Sequence, residues 1–215
     1  MAAQLSKTHF WQWFLRHHKE YLGLNKKTKK ELTYWQNELQ AHLRAYYKFL
    51  YFSIYVPNEG DPGVLTISVS GKGGYFKYVD NLVALAPEIP GWKIQALEPP
   101  RPIDFLWQEQ VGHTDIDPRE FWCTVPEGER AHLSVYHMLY TEANNWPYTQ
   151  AAETAVYNVL GERSFWLDIR LITVSNLSHA PQDAELIRVE ELPAYMPRGK
   201  SGLVVNAEGE IRPGE

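Results

Sequence analysis

The sequence predicts an α+β fold in which an N-terminal helical hairpin precedes a mixed, mainly antiparallel sheet with helices on one face. Apolar residues spaced by three and four within residues 7–47 indicate two amphipathic helices. Short alternating segments between residues 49 and 177 indicate strands. The order strand–strand–helix–strand occurs twice, which indicates an internal repeat. Because a unit with one helix cannot cover both faces of a sheet, we expect the two units to share one sheet.

The composition is that of a folded, soluble chain. Of 215 residues, 44% are hydrophobic and 22% are charged, which excludes disorder as the main state. No apolar run approaches the roughly 18 to 20 residues that a membrane-spanning helix needs, and residues 1–7 lack the apolar stretch of a secretory signal. Cys123 is the single cysteine, which excludes an intrachain disulfide and a cysteine-based zinc site. We therefore expect a cytoplasmic protein with no membrane partner.

The charge is unevenly distributed along the chain. Residues 1–56 contain nine Lys and Arg against three Asp and Glu, while the remaining residues contain twelve against twenty-three, for a net charge of -5. The densest basic cluster, Lys26, Lys27, Lys29 and Lys30, contains no aromatic residue. A typical nucleic-acid binder is basic overall. We therefore expect this cluster to be a solvated loop or a basic segment docked on the chain's own acidic part, and nucleic acid is not an expected partner.

Residues 1–48 predict the helical hairpin. Ser6 fits the N-cap of the first helix, and Gly23 ends it. Thr28 and Glu31 form a capping-box motif for the second helix, in which the hydroxyl and the carboxylate each accept from a backbone N–H. The apolar faces contain Phe10, Phe14 and Tyr21, then Trp35, Leu39, Leu43 and Tyr46. Aromatic stripes of this kind indicate core, with a ligand or partner surface as the alternative.

Residues 49–98 predict the first strand–strand–helix–strand unit, and residues 120–177 predict the second. The first contains strands at 49–56 and 64–70, a glycine loop at 71–74, a helix at 76–86 and a strand at 92–97. The second contains strands at 121–125 and 132–140, a helix at 150–161 and a strand at 169–176. Prolines at 99, 100 and 102 form a stiff linker. We expect one domain over residues 1–192, with an edge strand at 186–189, and an extended C-terminal arm over residues 193–215.

The glycine loop is a candidate anion-binding or nucleotide-binding site. Glycines let a backbone approach a ligand closely, and Lys72 adds positive charge between a strand and a helix. The anion-binding candidates are Ser70, Lys72, Gly73 and Gly74. The segment lacks the Gly-Lys-Ser/Thr ending of the phosphate-loop motif, so a plain turn is the alternative.

The segment that begins at His113 places three polar side chains at alternate positions. His113, Asp115 and Asp117 would point one way from an extended backbone, and imidazole with carboxylate oxygens suits a divalent metal. Pro118 follows, however, and an Asp at this point commonly caps a turn. We therefore predict no metal site and keep His113 and Asp115 as candidates for acid–base chemistry.

A catalytic cysteine is the remaining enzymatic alternative. Cys123 lies in a predicted strand on the face shared by Phe121 and Val125, where a small buried thiol is expected. As a nucleophile it would need a nearby base, for which the candidates are His113, His132 and His137. His137 shares its strand face with Leu133 and Val135, so we expect it to be a partly buried core residue. The candidate residues for a hydrolase are therefore His113, Asp115, Cys123 and His132.

Two segments resemble a known group of proteins. They are Leu65–Gly71 continued by Ala86–Ile94, and Ala155–Glu162. Both are similar to segments of small soluble bacterial proteins known only as a domain of unknown function. The resemblance implies a bacterial cytosolic α+β domain, and it carries no catalytic or binding residues over to this chain.

The sequence favours a non-catalytic binding or protein-interaction module of a regulatory, accessory or immunity type. Its eight Trp and thirteen Tyr residues can anchor an interface, although aromatic residues also fill cores. The alternatives are a hydrolase with a His/Asp/Cys site and an anion-binding or nucleotide-binding domain. No cofactor is expected, the partner is another protein or a small ligand, and the oligomeric state stays open, with a dimer compatible.

Overall fold

The computed structural model describes residues 7–56, 61–104, 116–128, 130–196, 203–205 and 211–213. Contacts within the chain divide it into two units, residues 1–98 and residues 99–215. The two β-β-α-β arrangements fall in different units, and the predicted α+β class is confirmed. The helices in the described part of the chain are all too short or too polar to cross a membrane.

Two N-terminal helices, α1 (Lys7–Leu22) and α2 (Lys29–Tyr46), confirm the predicted hairpin. The capping box at the start of α2 is formed as expected. The Thr28 N–H donates to Glu31 Oε2 at 2.9 Å, and the Glu31 N–H donates to Thr28 Oγ1 at 3.4 Å. Ser6, the expected cap of α1, lies outside the described residues.

The aromatic stripe of α1 lies in the core of the first unit, as predicted. Phe10, Phe14 and Tyr21 are buried. The Trp11 indole N–H donates to the backbone oxygen of Leu82 at 2.8 Å, which links α1 to the third helix. A buried Trp needs such a partner because an unsatisfied N–H is costly away from water.

The first unit contains a three-stranded sheet of β1 (Tyr51–Tyr55), β2 (Gly63–Ser68) and β3 (Trp92–Ala96), with α3 (Phe76–Val83) between β2 and β3 in sequence. The order is β1-β2-β3. Strands β1 and β2 are antiparallel, whereas β2 and β3 are parallel. Helix α3 packs against β2 and β3, as a crossover connection requires.

The second unit contains β4 (Trp122–Thr124), β5 (Ala131–His137), α4 (Asn145–Asp168), β6 (Ile169–Asn176) and β7 (Leu186–Arg188). The strand order is β6-β5-β4-β7. Strands β4 and β5 are antiparallel, and β5 and β6 are parallel. The predicted edge strand is confirmed as β7, which pairs antiparallel with β4.

The two units have the same element order and the same strand pairing, but they do not share a sheet. The expectation of one shared sheet is corrected by two separate sheets of three and four strands. The expectation of one sheet counted a single helix in each unit. It did not include the other elements that pack on each sheet. In the second unit, α4 packs beside a 3-10 segment, Val189–Ala194, whose residues Val189 and Leu192 are buried.

Helix α4 is longer than the predicted helix and contains a kink. It continues past Gly161, which has φ 71° and ψ 165° inside the helix. Beyond the kink Asp168 is buried and accepts a hydrogen bond from Ser164 Oγ at 2.6 Å. In the segment predicted as an extended arm, β8 (Leu203–Val205) pairs antiparallel with β9 (Ile211–Pro213).

Candidate functional site

The loop between β5 and α4 is hydrogen-bonded back to the last residue of β5. His137 is the last residue of β5, and its Nδ1 accepts a hydrogen bond from the Leu139 N–H at 3.0 Å. The Tyr140 N–H donates to the His137 backbone oxygen at 3.3 Å. The chain therefore turns sharply directly after the strand.

Asparagine side chains fix the same loop from two sides. Asn176 Nδ2, at the end of β6, donates to the backbone oxygens of Met138 at 2.8 Å and Tyr140 at 2.9 Å. Asn144 Nδ2 donates to the Leu139 oxygen at 2.9 Å, so three successive carbonyl groups are bound by side chains. These bonds connect the loop to the end of β6 and to the turn that precedes α4, and they restrict its backbone.

Three large apolar side chains project from this fixed backbone into solvent. Met138 is 72% exposed, Leu139 66% and Trp146, in the first turn of α4, 74%. The Tyr140 hydroxyl donates to Asn145 Oδ1 at 3.3 Å, which holds the start of α4 against the loop. We term Met138, Leu139 and Trp146, which lie within one nine-residue stretch of the chain, the exposed apolar surface. Large apolar side chains left exposed around one loop are candidates for contact with another molecule.

His137 supports the loop from below and is almost fully buried. Its ring packs edge-to-face against Phe121 and Tyr148, with centroid distances of 5.0 and 4.9 Å. Nε2 lies 3.3 Å from Glu120 Oε2 at angles that do not form a hydrogen bond, so the contact is electrostatic. Because Nδ1 accepts from Leu139, the neutral ring carries its proton on Nε2.

The neutral ring is the form that the site favours. Burial, the largest cause, lowers the pKa of His137, while the carboxylates of Glu120 and Asp117 oppose that effect. Asp117 is itself engaged by Arg119, whose guanidinium donates to it at 2.6 Å and holds its pKa below the usual range. The loop anchor therefore depends on an imidazole that stays uncharged near neutral pH.

We expect the free energy of unfolding to decrease as the pH falls from 7.5 to 5.5. A histidine with a lowered pKa in the folded protein has its ordinary pKa of about 6.5 in the unfolded chain. Just below pH 6.5 the unfolded chain therefore binds more protons than the folded protein. The stability that the neutral ring contributes is complete above this pH and is lost on acidification. Replacing His137 with Asn keeps an acceptor for Leu139 and should make urea unfolding less dependent on pH.

The matched control is His132→Asn, which removes an exposed histidine from the same strand. It should not flatten the pH dependence. Some dependence should remain in His137→Asn, because burial also lowers the pKa values of His18 and His42. An unchanged pH dependence in His137→Asn would show that His137 is not the group responsible.

The structure does not bring Cys123 and His132 together. Cys123 pairs with Val135 in β4 and β5 and is fully buried. His132 is exposed on the opposite face of β5, where its Nε2 lies 3.2 Å from Thr173 Oγ1 on β6. Burial, the main cause, raises the pKa of the Cys123 thiol to about 12, which opposes the thiolate that a nucleophile needs.

The other predicted catalytic residues, His113 and Asp115, lie outside the described residues. Asp117 caps the 3-10 turn Pro118–Glu120 by accepting from the Arg119 N–H, which is the turn role given above as the alternative to metal binding. Within the described ranges, no three His, Cys, Asp or Glu side chains are grouped so that they could hold a metal ion.

The glycine loop forms a tight turn. Ser70 has a φ of 48°, and its N–H donates to Ser68 Oγ at 2.8 Å. Gly73 and Gly74 begin a 3-10 turn, Gly73–Tyr75, that leads into α3. Lys72 extends over the ring of Phe49, with Nζ 4.3 Å from the centroid. The anion candidates are therefore adjacent, and Lys72 faces an aromatic ring.

A cleft of about 560 Å³ lies between α2 and β1 in the first unit. Its walls contain amide, hydroxyl and apolar side chains, and none of the residues that line it is ionisable. They are Leu24, Asn25, Leu32, Gln36, Asn37, Gln40, Phe52, Ser53 and Ile54. This cleft offers hydrogen bonds to a ligand but no side chain for general acid–base catalysis.

The exposed apolar surface was not among the sequence candidates. The strand predicted over 132–140 would have buried every second residue, whereas β5 ends at His137. A local signal was present, because Thr141 and Asn144 have capping-box spacing and the Thr141 N–H donates to Asn144 Oδ1 at 2.6 Å. The bonds from Asn176 carry no sequence signal, since 36 and 38 residues separate the partners.

No family model, no curated protein and no solved structure matches the chain.

Proposed function

We propose that this protein is a non-catalytic interaction module that binds a partner protein through the exposed apolar surface, Met138, Leu139 and Trp146. The observation that carries the proposal is that these three side chains, each at least 66% exposed, project from a backbone held by side-chain hydrogen bonds. A bacterial, cytoplasmic setting, which the resemblance implies, is part of the proposal. Regulatory, accessory and immunity roles all act through contact with another protein.

The residue types support a protein partner. Trp and Met are enriched in the cores of protein interfaces, where they fill pockets and exclude water. Ordering a flexible loop on binding would weaken association, and the bonds from Asn144 and Asn176 remove that cost beforehand. The surface therefore combines apolar area with a prepared shape.

Charge indicates which kind of partner fits. Residues 99–215 contain nine Lys and Arg against eighteen Asp and Glu, so this unit is strongly acidic. Glu142 is exposed within the loop itself. Electrostatic complementarity then favours a protein with an apolar pocket bordered by basic side chains.

Site-specific cross-linking tests the proposal. A photoreactive benzoylphenylalanine at position 139 should give one discrete adduct in living cells, whereas the same group at Leu85, exposed in the first unit, should not. Adding Met138→Ser and Trp146→Ser should lower the adduct yield at least tenfold, because hot-spot aromatic residues carry most binding energy. The melting temperature should change little, because both side chains are exposed.

Three outcomes would contradict the proposal. They are the absence of an adduct at position 139, an adduct that survives both substitutions, and an equal adduct from position 85. An adduct of twice the chain mass would identify the partner as a second copy, which would overturn the expectation of a basic partner.

A further inference from the structure

A second surface, on the first unit, combines four aromatic rings with three lysines. Tyr47 and Tyr78 stack with centroids 3.7 Å apart and an interplanar angle of 9°. Phe49 and Tyr75 stack at 4.9 Å and 29°. Tyr47 and Phe49 follow α2, while Tyr75 and Tyr78 lie at the start of α3, and all four rings are partly exposed. With Lys48, Lys72 and Lys77 they form what we term the lysine–aromatic surface.

The lysines of this surface face aromatic rings. Lys72 Nζ is 4.3 Å and Lys48 Nζ 4.8 Å from the Phe49 centroid, and Lys77 Nζ is 5.3 Å from that of Tyr78. Among the described residues, no carboxylate forms an ion pair with any of the three. Within the described part of the chain, the charged ends of these lysines therefore contact ring faces and solvent rather than carboxylates.

A ligand with both flat rings and phosphates can replace these contacts with stronger ones. An exposed ammonium–ring contact is worth a factor of about two to five in an equilibrium constant. A nucleobase stacked on an aromatic side chain is worth about five to more than a hundred. If a base takes the face of Phe49 or Tyr78, the displaced lysine remains close enough to bind the adjoining phosphate.

We propose that the lysine–aromatic surface binds single-stranded nucleic acid, with bases stacked on the rings and phosphates paired with Lys48, Lys72 and Lys77. Two ring–lysine pairs, Phe49 with Lys72 and Tyr78 with Lys77, each offer one ring for a base and one ammonium group for a phosphate. A separate observation supports a negatively charged ligand: residues 1–98 contain twelve Lys and Arg against eight Asp and Glu. We expected no nucleic-acid partner because the chain as a whole is not basic. The net charge of the whole chain combines this basic unit with an acidic one.

Fluorescence anisotropy with a labelled ten-nucleotide uridine strand, at about 50 mM salt, tests the charged part of the site. Lys72→Gln combined with Lys77→Gln should weaken binding about tenfold. The matched control, Lys29→Gln with Lys30→Gln, removes the same charge from the exposed start of α2 and should change binding less than threefold. The slope of log K against log salt should be about -2 for the unaltered protein, which makes three phosphate contacts. It should be about -0.7 for the Lys72→Gln and Lys77→Gln variant, which retains one.

The rings are tested with Phe49→Leu and Tyr78→Leu, which retain every lysine and should each weaken binding at least fivefold. Inorganic polyphosphate should compete poorly, because it has no base to stack. The proposal is overturned by a strand that does not bind, by equal losses in the two lysine pairs, or by polyphosphate that competes as well as the unlabelled strand. The lysine variants decide the matter even if a ring variant does not fold.

Discussion

Replacing Gly161 with alanine should lower the free energy of unfolding by about 4 kcal/mol. Gly161 has φ 71° and ψ 165°, a region that residues with a side chain almost never adopt. A Cβ at this position would also lie 2.6 Å from the Pro100 nitrogen and 2.9 Å from the Pro99 carbonyl carbon. Both are atoms of a proline-restricted backbone, so neither can move away cheaply.

The control for this substitution is Gly128→Ala. Gly128 also has a positive φ, 78°, but a Cβ there would meet nothing within 4 Å. Its cost should be the backbone strain alone, about 1 kcal/mol. Urea unfolding of both variants compares a positive-φ glycine that has close neighbours with one that has none. Equal losses would mean that the prolines yield, and that the close approach of residues 99–100 to α4 contributes little to stability.

Gly161 also explains why the helix boundary was missed. A glycine at the end of an apolar helical pattern usually marks a C-terminus, so the pattern predicts a helix that ends at Gly161. Here the glycine is needed because Pro99 and Pro100 pack against the chain at that point, and the Arg101 N–H donates to the Asn158 oxygen at 2.8 Å. The segment predicted as a stiff linker therefore packs against α4 and is part of the second unit.

Features set by neighbouring residues were predictable, and features set by distant residues were not. The capping box of Thr28 and Glu31 and the buried face of α1 follow from spacing alone. The separation into two sheets depends on which strand edges meet, and spacing does not encode that. β4, for example, pairs on one side with β5 and on the other with β7, more than sixty residues further along the chain.

The candidate sites divide in the same way. The glycine loop points to Lys72 from local sequence. Its ring partner Phe49 is more than twenty residues away, in a segment whose composition predicts a strand. The exposed apolar surface required the end of β5 to be known, because the same residues in a longer strand would alternate between core and solvent. Composition indicated that aromatic residues could anchor an interface, and only the structure separates those in the core from those at the surface.

Cys123 should react with an aromatic disulfide reagent at least about a thousandfold more slowly in the folded protein than in urea. Burial raises the pKa of its thiol from the ordinary 9.0 to about 12, and that shift alone lowers the thiolate fraction at pH 8 by about this factor. The side chain is also fully buried, between Val135 of β5 and Ile187 of β7 in register. Reaction should therefore require local or global opening of the sheet.

The same measurement decides between a binding module and a cysteine hydrolase. A catalytic cysteine reacts rapidly in the folded state, because its thiolate is stabilised and accessible. Labelling that is slow, and that accelerates with urea in step with unfolding, would identify Cys123 as a core residue. Rapid labelling in the absence of urea, slowed by His132→Ala, would instead show that a histidine activates the thiol and that β4 opens in the native protein. Because the two residues lie on opposite faces of their sheet, we expect His132→Ala to leave the labelling rate unchanged.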